Sequence, residues 1–66
     1  MQIVLNGEPR EIPDGASIVA LLEHLGIDRQ RVAVELNEQV VPKAKHPTTA
    51  LKATDRVEIV TFVGGG

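Results

Sequence analysis

The sequence predicts one α+β domain in which a mixed sheet of four to five strands packs on a single helix. Three observations favour this fold class: a hairpin signal near the start, one stretch with helical periodicity, and a long β-rich run near the end. The helix must cover one face of the sheet, because the apolar face of the sheet and the apolar stripe of the helix can be buried only against each other. A chain of 66 residues forms one domain with a thin core.

The segment "QIVLNGEPREI" holds two short apolar runs around Asn6-Gly7. Both residues of this dipeptide tolerate positive φ, which suits them to a tight hairpin. We therefore expect two antiparallel strands at the start of the fold. Asn6 and Gly7 are interpreted as turn residues and nothing more.

The segment "SIVALLEHLG" has the i, i+3, i+4, i+7 apolar spacing of one helical face. Ser17 precedes it as a plausible N-cap, and Gly26 follows as a C-terminal stop. We expect one amphipathic helix of about two to three turns.

The second half of the chain predicts three further strands. "VAVELNEQVV" indicates a strand, a turn at Asn37-Glu38 and a short strand closed by Pro42. "KAKHPTTALKATD" is polar and irregular apart from Leu51, with room for a short turn of helix. "RVEIVTFV" is the longest β-rich run. This element order is the pattern of a β-grasp, and the predicted core comprises Ile3, Leu5, Ile12, Ile18, Leu21, Leu22, Leu25, Val32, Val34, Leu36, Val57 and Ile59.

The sequence of the last predicted strand indicates which of its two faces points to solvent, since side chains alternate between the faces of a strand. Glu58 could not lie unpaired in a small core without a large desolvation cost, so its face points to water. The opposite face would then carry Val57, Ile59, Thr61 and Val63. An outward apolar set next to the chain end favours a partner surface, although isolated exposed apolar residues are also normal and Phe62 could fold over the sheet edge. The candidate interface residues are Val4, Val60 and Phe62.

Composition excludes several classes of function. The net charge is −2 and the seven basic residues are scattered, which argues against a nucleic-acid partner. No basic leader precedes an apolar stretch, and no apolar run reaches the roughly 18 residues of a membrane span. We expect no membrane association and a cytoplasmic location. There is no cysteine, so no disulfide framework is present.

Other polar residues are weak site candidates. His24 lies off the apolar stripe of the helix, and His46 precedes Pro47 in the irregular loop without a second ligand nearby. Incidental metal binding by either histidine is left open, and no metal site is predicted. Glu35 and Glu38 flank a turn with no pocket-forming sequence around them, so a solvated turn is favoured. We predict no catalytic residue.

The chain ends in three glycines, and two readings of them stay open. They could be a frayed or engineered tail, or the terminal carboxylate of Gly66 could be the working group. Ordered glycines lose much backbone entropy without side-chain contacts. We therefore expect a domain over residues 1–63 and a flexible tail over residues 64–66.

The segments "IVTFVGGG", "AVELNEQVVPK" and "LNG", with the less specific "LLEHLGI", give the whole chain a family resemblance. It resembles the ubiquitin-like sulfur carriers, and most closely the ThiS family of thiamine biosynthesis. One departure is Thr54 before Asp55, where that family often has glycine. This difference bears on the turn before the last strand.

The resemblance implies a carrier that is not itself an enzyme and holds no cofactor. An adenylating enzyme of the ubiquitin-activating type (ThiF type) would use ATP to convert the Gly66 carboxylate to an acyl adenylate. A persulfide donor would then supply sulfur to give a thiocarboxylate, which delivers it to a thiazole synthase of the ThiG type. Gly64, Gly65 and Gly66 would form the slim tail that enters these partner sites.

Two alternatives remain at this point. A carrier with the same terminus could send its sulfur to molybdopterin or to tRNA thiolation, and the terminus cannot separate these pathways. The chain could also be a ubiquitin-like modifier or a plain binding module. The overall match and the short length favour thiamine biosynthesis.

Overall fold

Five strands and one α-helix are formed within residues 1–62, the part of the chain that the computed structural model describes. The helix is α1 (Ile18–Leu25), and short 3₁₀ turns lie at Arg29–Arg31 and Lys43–Lys45. The turn at Arg29–Arg31 was not predicted, whereas the second lies where the sequence left room for one. The strands are β1 (Gln2–Leu5), β2 (Glu8–Glu11), β3 (Val32–Leu36), β4 (Gln39–Val41) and β5 (Arg56–Thr61).

The strands form one mixed sheet in the order β2-β1-β5-β3-β4. β5 lies at its centre, parallel to β1 and antiparallel to β3. Its register places Val57 beside Leu5 on one side and Ile59 beside Val34 on the other. The predicted mixed sheet on a single helix is confirmed, and the last strand is its central member.

Both predicted hairpin turns are confirmed, and each has two residues with positive φ. Asn6 and Gly7 have φ of 48° and 83°, and Asn37 and Glu38 have φ of 50° and 71°. Such turns match the right-handed twist of the strands they join. Asparagine tolerates positive φ better than most residues, and each of the two turns begins with an asparagine, Asn6 or Asn37.

The predicted ends of α1 are also confirmed. The Ser17 hydroxyl accepts a hydrogen bond from the Ala20 amide at 3.1 Å. Gly26 ends the helix with φ of 70°, and its amide donates to the Glu23 carbonyl. A left-handed residue at this position favours glycine, which has no Cβ to clash.

Most of the predicted core is buried, with differences at the ends of elements. Leu5, Leu25 and Leu36 pack against the core but are only half-buried, because each is the last residue of its strand or helix. Thr61, predicted to face inward, is exposed at the end of β5. The buried core comprises Ile3, Ile12, Ile18, Leu21, Leu22, Val32, Val34, Leu51, Val57 and Ile59.

The segment between β4 and β5 contributes to the core, which its polar sequence did not predict. Leu51 and His46 are both buried. The Thr49 carbonyl accepts from the Ile18 amide at 3.1 Å, and the His46 carbonyl accepts from the Val19 amide at 3.3 Å. Amide groups of the first helical turn, which lack partners inside a helix, are thus satisfied by this segment.

The His46 ring is enclosed by the same segment. Its Nε2 lies 3.1 Å from the Val41 carbonyl oxygen, and since a carbonyl can only accept, Nε2 carries the proton. Nδ1 has no hydrogen-bond partner within residues 1–62. His46 therefore acts as a packing residue that ties this segment to β4.

The α-ammonium group of Met1 fastens the outer hairpin. It donates to the Ile12 carbonyl at 2.7 Å and to the Asp14 carboxylate at 2.8 Å. The hydrogen bond to Asp14 raises the pKa of this ammonium group above its ordinary value, and the same contact lowers the pKa of the Asp14 carboxyl below its ordinary value. The two groups hold each other in their charged forms.

Candidate partner interface

The outer face of β5 presents apolar side chains to solvent next to the C-terminal residues. Val60 and Phe62 are 58% and 56% exposed, and Glu58 on the same face is also exposed. Val57 and Ile59, which alternate with them, are buried under α1. The predicted assignment of the two faces of the last strand is therefore confirmed for residues 57–60 and for Phe62.

Val4 extends this face onto β1. It pairs with Arg56 of β5 and with Pro9 of β2, and it is half-buried. Its neighbour Ile3 is fully buried, so the alternation along β1 places Val4 on the outer side, as predicted. Val4, Val60 and Phe62 thus share the outer side of the sheet, and we call them the β5-face residues.

Val40 also lies on this side of the sheet, and it was not predicted from the sequence as an exposed apolar residue. It is 69% exposed and sits directly opposite Glu35 in the antiparallel pair of β3 and β4. The alternation of Gln39, Val40 and Val41 was too short a signal to assign faces. Val40 lies on β4, which is the second strand from β5 in the sheet because β3 lies between them.

Two carboxylates lie on the outer face next to the β5-face residues. Glu35 of β3 sits directly opposite Glu58 of β5, and both side chains are exposed. Like charges in directly opposite positions repel and weaken the pairing of two strands. Glu35 and Glu38, considered as a pair in the sequence, differ in setting: Glu38 is a turn residue with positive φ.

The C-terminal end of β5 is held on both sides. On the β3 side, the Phe62 amide donates to the Arg31 carbonyl at 2.7 Å. On the β1 side, the Asn6 Oδ1 accepts from the Ile59 amide at 2.8 Å, and its Nδ2 donates to the Ile59 carbonyl at 3.4 Å. The expectation that Asn6 serves only its turn is wrong, because its side chain also binds the backbone of β5.

The start of β5 is held by the second turn asparagine. The Asn37 Oδ1 accepts from the Arg56 amide at 2.9 Å, and its Nδ2 donates to the buried Asp55 carboxylate at 3.1 Å. Thr54, the residue that departs from the resemblance, precedes this contact with φ of 68°. Its backbone therefore adopts the left-handed conformation that glycine occupies without steric strain.

No metal centre or membrane-crossing helix occurs within residues 1–62. This part of the chain contains no group of three His, Cys, Asp or Glu side chains placed to share an ion. None of its helices has the length and apolar character needed to span a bilayer. His24 is exposed on α1. Val63 and the predicted site residues Gly64, Gly65 and Gly66 lie outside the described residues.

The architecture is that of a small ubiquitin-like β-grasp protein, with an exposed apolar surface beside the C-terminal end of its central strand. The sequence profile of the ThiS family matches residues 3–66. This chain belongs to the ThiS family, which confirms the resemblance seen in the sequence.

Two relatives of similar size agree with this assignment. The chain is 39% identical over 62 residues to a sulfur carrier protein ThiS of Thermus thermophilus, covering 94% of this chain and 95% of that protein. A crystal structure of a thiamine biosynthesis protein (ThiS) from Geobacter metallireducens superposes with a TM-score of 0.86 at 32% identity, with both chains fully covered. The β-grasp fold is therefore confirmed.

Longer relatives carry the name thiazole synthase. One from Paramagnetospirillum magneticum is 44% identical over all 66 residues, and one from Magnetococcus marinus is 41% identical. This chain covers all of its own length in both alignments but only 20% of either relative. Both thiazole synthases thus contain a segment similar to this chain together with much additional sequence.

Proposed function

We propose that Gly66 carries sulfur as a C-terminal thiocarboxylate and donates it for thiazole formation. Membership in the ThiS family supports a role as a sulfur carrier protein of thiamine biosynthesis rather than as a catalyst. The observation that supports the finer chemistry is the extent of the family match, which runs over residues 3–66 and so includes all three terminal glycines.

The first step is activation of the Gly66 carboxylate by a partner enzyme of the ThiF type. A carboxylate is a poor acyl donor until one oxygen becomes part of a good leaving group. The carboxylate oxygen attacks the α-phosphorus of ATP, and pyrophosphate leaves, giving an acyl adenylate. ATP is bound by the partner in this scheme, and the carrier supplies only the carboxylate.

The second step replaces the activated oxygen with sulfur. The terminal sulfur of a persulfide donor attacks the acyl carbon and expels AMP, forming an acyl disulfide with the donor. A thiol then attacks the donor's sulfur in that disulfide, which releases the thiocarboxylate and leaves the donor in a new disulfide. The persulfide donor thus provides the transferred sulfur, and the thiol provides the two electrons that reduce the acyl disulfide.

The folded domain would bring this terminus to its partners through the β5-face residues. The two exposed members, Val60 and Phe62, lie at the end of β5 from which the C-terminal residues continue, whereas the half-buried Val4 lies beside the start of β5. Gly64, Gly65 and Gly66 have no side chains, so they would pass through a narrow channel to the nucleotide. A larger side chain at Gly65 or Gly66 would obstruct that path.

The proposed acceptor of the sulfur is a thiazole synthase of the ThiG type. This choice is supported by the two thiazole synthases that contain a segment similar to this chain, since a carrier and its acceptor must meet during transfer. The ThiF-type enzyme and the persulfide donor are inferred from family membership alone. The cytoplasmic location stays a prediction of the sequence.

Deletion of Gly66 tests the proposed terminus. With a ThiF-type enzyme, the intact chain should support ATP–pyrophosphate exchange, and the shortened chain should support none. Thermal melting should remain the same within about 0.5 kcal/mol of unfolding free energy, the usual scale for exposed positions. An exposed substitution far from the terminus, Lys52→Ala, serves as the control. Normal exchange by the shortened chain would contradict the proposal.

A further inference from the structure

The central strand β5 is fastened to its neighbours by the side chains of two turn asparagines. Asn6, at the turn between β1 and β2, binds the backbone of Ile59. Asn37, at the turn between β3 and β4, binds the backbone of Arg56. Asn6 thus acts near the C-terminal end of β5 and on its β1 side, whereas Asn37 acts at its start and on its β3 side.

The Asn6 side chain continues the pairing of β1 and β5 after the β1 backbone has turned away. The last backbone bond of this pairing runs from the Asn6 amide to the Val57 carbonyl at 2.9 Å. Gly7, with φ of 83°, then directs the chain into β2. The side-chain amide spans the next position on β5 by accepting from the Ile59 amide and donating to its carbonyl.

This contact reaches further along β5 on its β1 side than any other hydrogen bond described within residues 1–62. Ile59 immediately precedes Val60, and both lie in the part of β5 that leads to Phe62 and the terminal glycines. On the β3 side, the pairing continues through Thr61 to the amide of Phe62. Without Asn6, the end of β5 would be held from one side only.

We infer that Asn6 is a positioning residue, whose side-chain amide fixes the end of β5 and so the point from which the C-terminal residues extend toward the partner's nucleotide. The inference rests on the proposed function. Rates of such transfers depend steeply on the placement of the reacting groups, and a misplacement of about 1 Å can cost two orders of magnitude. A carrier that supplies no catalytic group contributes to this step mainly through placement.

Matched glycine substitutions at the two asparagines test the inference. Asn6→Gly and Asn37→Gly each remove one side-chain amide from a turn residue with positive φ, a conformation that glycine adopts without strain. Only Asn6→Gly frees the end of β5 next to the terminus. Asn6→Asp keeps an oxygen that accepts from the Ile59 amide, and aspartate also tolerates positive φ, but its second carboxylate oxygen cannot donate to the Ile59 carbonyl. This variant should therefore restore part of the contact.

Two measurements separate positioning from mere stability. Relative to Asn37→Gly, Asn6→Gly should speed hydrogen exchange of the Ile59 amide by about tenfold or more, because local opening no longer requires breaking this bond. Adenylation of Asn6→Gly by the ThiF-type enzyme should show a kcat reduced by about fivefold or more, with the KM for the carrier changed much less. Asn6→Asp should fall between Asn6→Gly and the unsubstituted chain in both measurements, because it keeps the acceptor for the Ile59 amide and loses the donor to the Ile59 carbonyl.

Equal Ile59 exchange in the two glycine variants would show that the Asn6 contact does not hold β5 and would overturn the inference. Faster exchange with an unchanged kcat would show that the contact has no positioning role and would also overturn it. If the unsubstituted chain is not adenylated at all, the proposed function fails first, and the positioning role falls with it.

Discussion

Phe62 is exposed to solvent although it is the only aromatic residue in the chain, so its side chain is suited to partner binding rather than to the core. An aromatic side chain normally contributes to a core, but here it is 56% exposed beside Val60, which is exposed to a similar degree. Its only backbone hydrogen bond described within residues 1–62 is to Arg31, and this bond needs no side chain. The side chain is therefore available to a partner without cost to the fold.

Replacement of Phe62 by alanine should weaken partner binding and spare the fold. We expect a loss of about 2 kcal/mol or more in binding to the ThiF-type enzyme, as for a buried aromatic anchor. Unfolding free energy should fall by only about 0.5 kcal/mol, well below the roughly 3–5 kcal/mol for an aromatic removed from a core. Titration calorimetry and thermal melting measure the two quantities.

Val40→Ala is the control for this prediction, because Val40 is an apolar residue even more exposed than Phe62 and lies two strands away from β5. It should leave both binding and stability nearly unchanged. A large loss of stability in Phe62→Ala with unchanged affinity would show that Phe62 serves the fold and not the interface.

Thr54 carries backbone strain that the sequence alone suggested only indirectly. Its φ of 68° is uncommon for a β-branched residue. Thr54→Gly should stabilise the chain by roughly 0.5–1 kcal/mol, because relief of about 1–2 kcal/mol exceeds the backbone entropy cost of glycine, about 0.5–1 kcal/mol. Chemical denaturation measures the change. Ala53→Gly, at the neighbouring position without positive φ, should destabilise instead, and equal signs for the two variants would contradict this account.

At the scale of elements, the predictable parts of the fold are those encoded by neighbouring residues. The turns at Asn6-Gly7 and Asn37-Glu38, the caps of α1 and the alternation along β5 all depend on local pattern. All are confirmed, except that the alternation fails at Thr61, which is exposed at the end of the strand. The segment between β4 and β5 was not predictable in this way. Its Leu51 is buried in the core, and the Leu51 amide donates to the carbonyl of Ala16, which lies far away in the sequence.

Leu51→Ala tests the structural role of this segment. Leu51 is 2% exposed, and removal of a buried leucine side chain costs about 2–5 kcal/mol. This is a large share of the stability expected for a chain of 66 residues, which is about 3–10 kcal/mol. We expect the denaturation midpoint to fall strongly, whereas the exposed neighbour Lys52→Ala should change it little. Similar midpoints for the two variants would show that the segment is not part of the core.

At the scale of the whole molecule, the fold places β5 between β1 and β3, which hold it by hydrogen bonds, and leaves the outer face of β5 exposed to solvent. The sequence predicted the exposed Val60 and Phe62 because Glu58 marks their face. It did not predict the Asn6 contact, because that contact depends on the parallel pairing of β1 with β5, and Asn6 and Ile59 are 53 residues apart. The glycine residues of the predicted site lie outside residues 1–62, so their role remains a prediction.

The central claim is that the Gly66 carboxylate becomes a thiocarboxylate. The direct measurement is the intact mass of the chain after incubation with ATP, a sulfide source and the cognate activating enzyme, with samples lacking ATP as the control. We predict a mass gain equal to the replacement of one oxygen by one sulfur, located in the C-terminal fragment and dependent on ATP. An unchanged mass when the enzyme is active on a known carrier would contradict the account, as expected for a plain binding module.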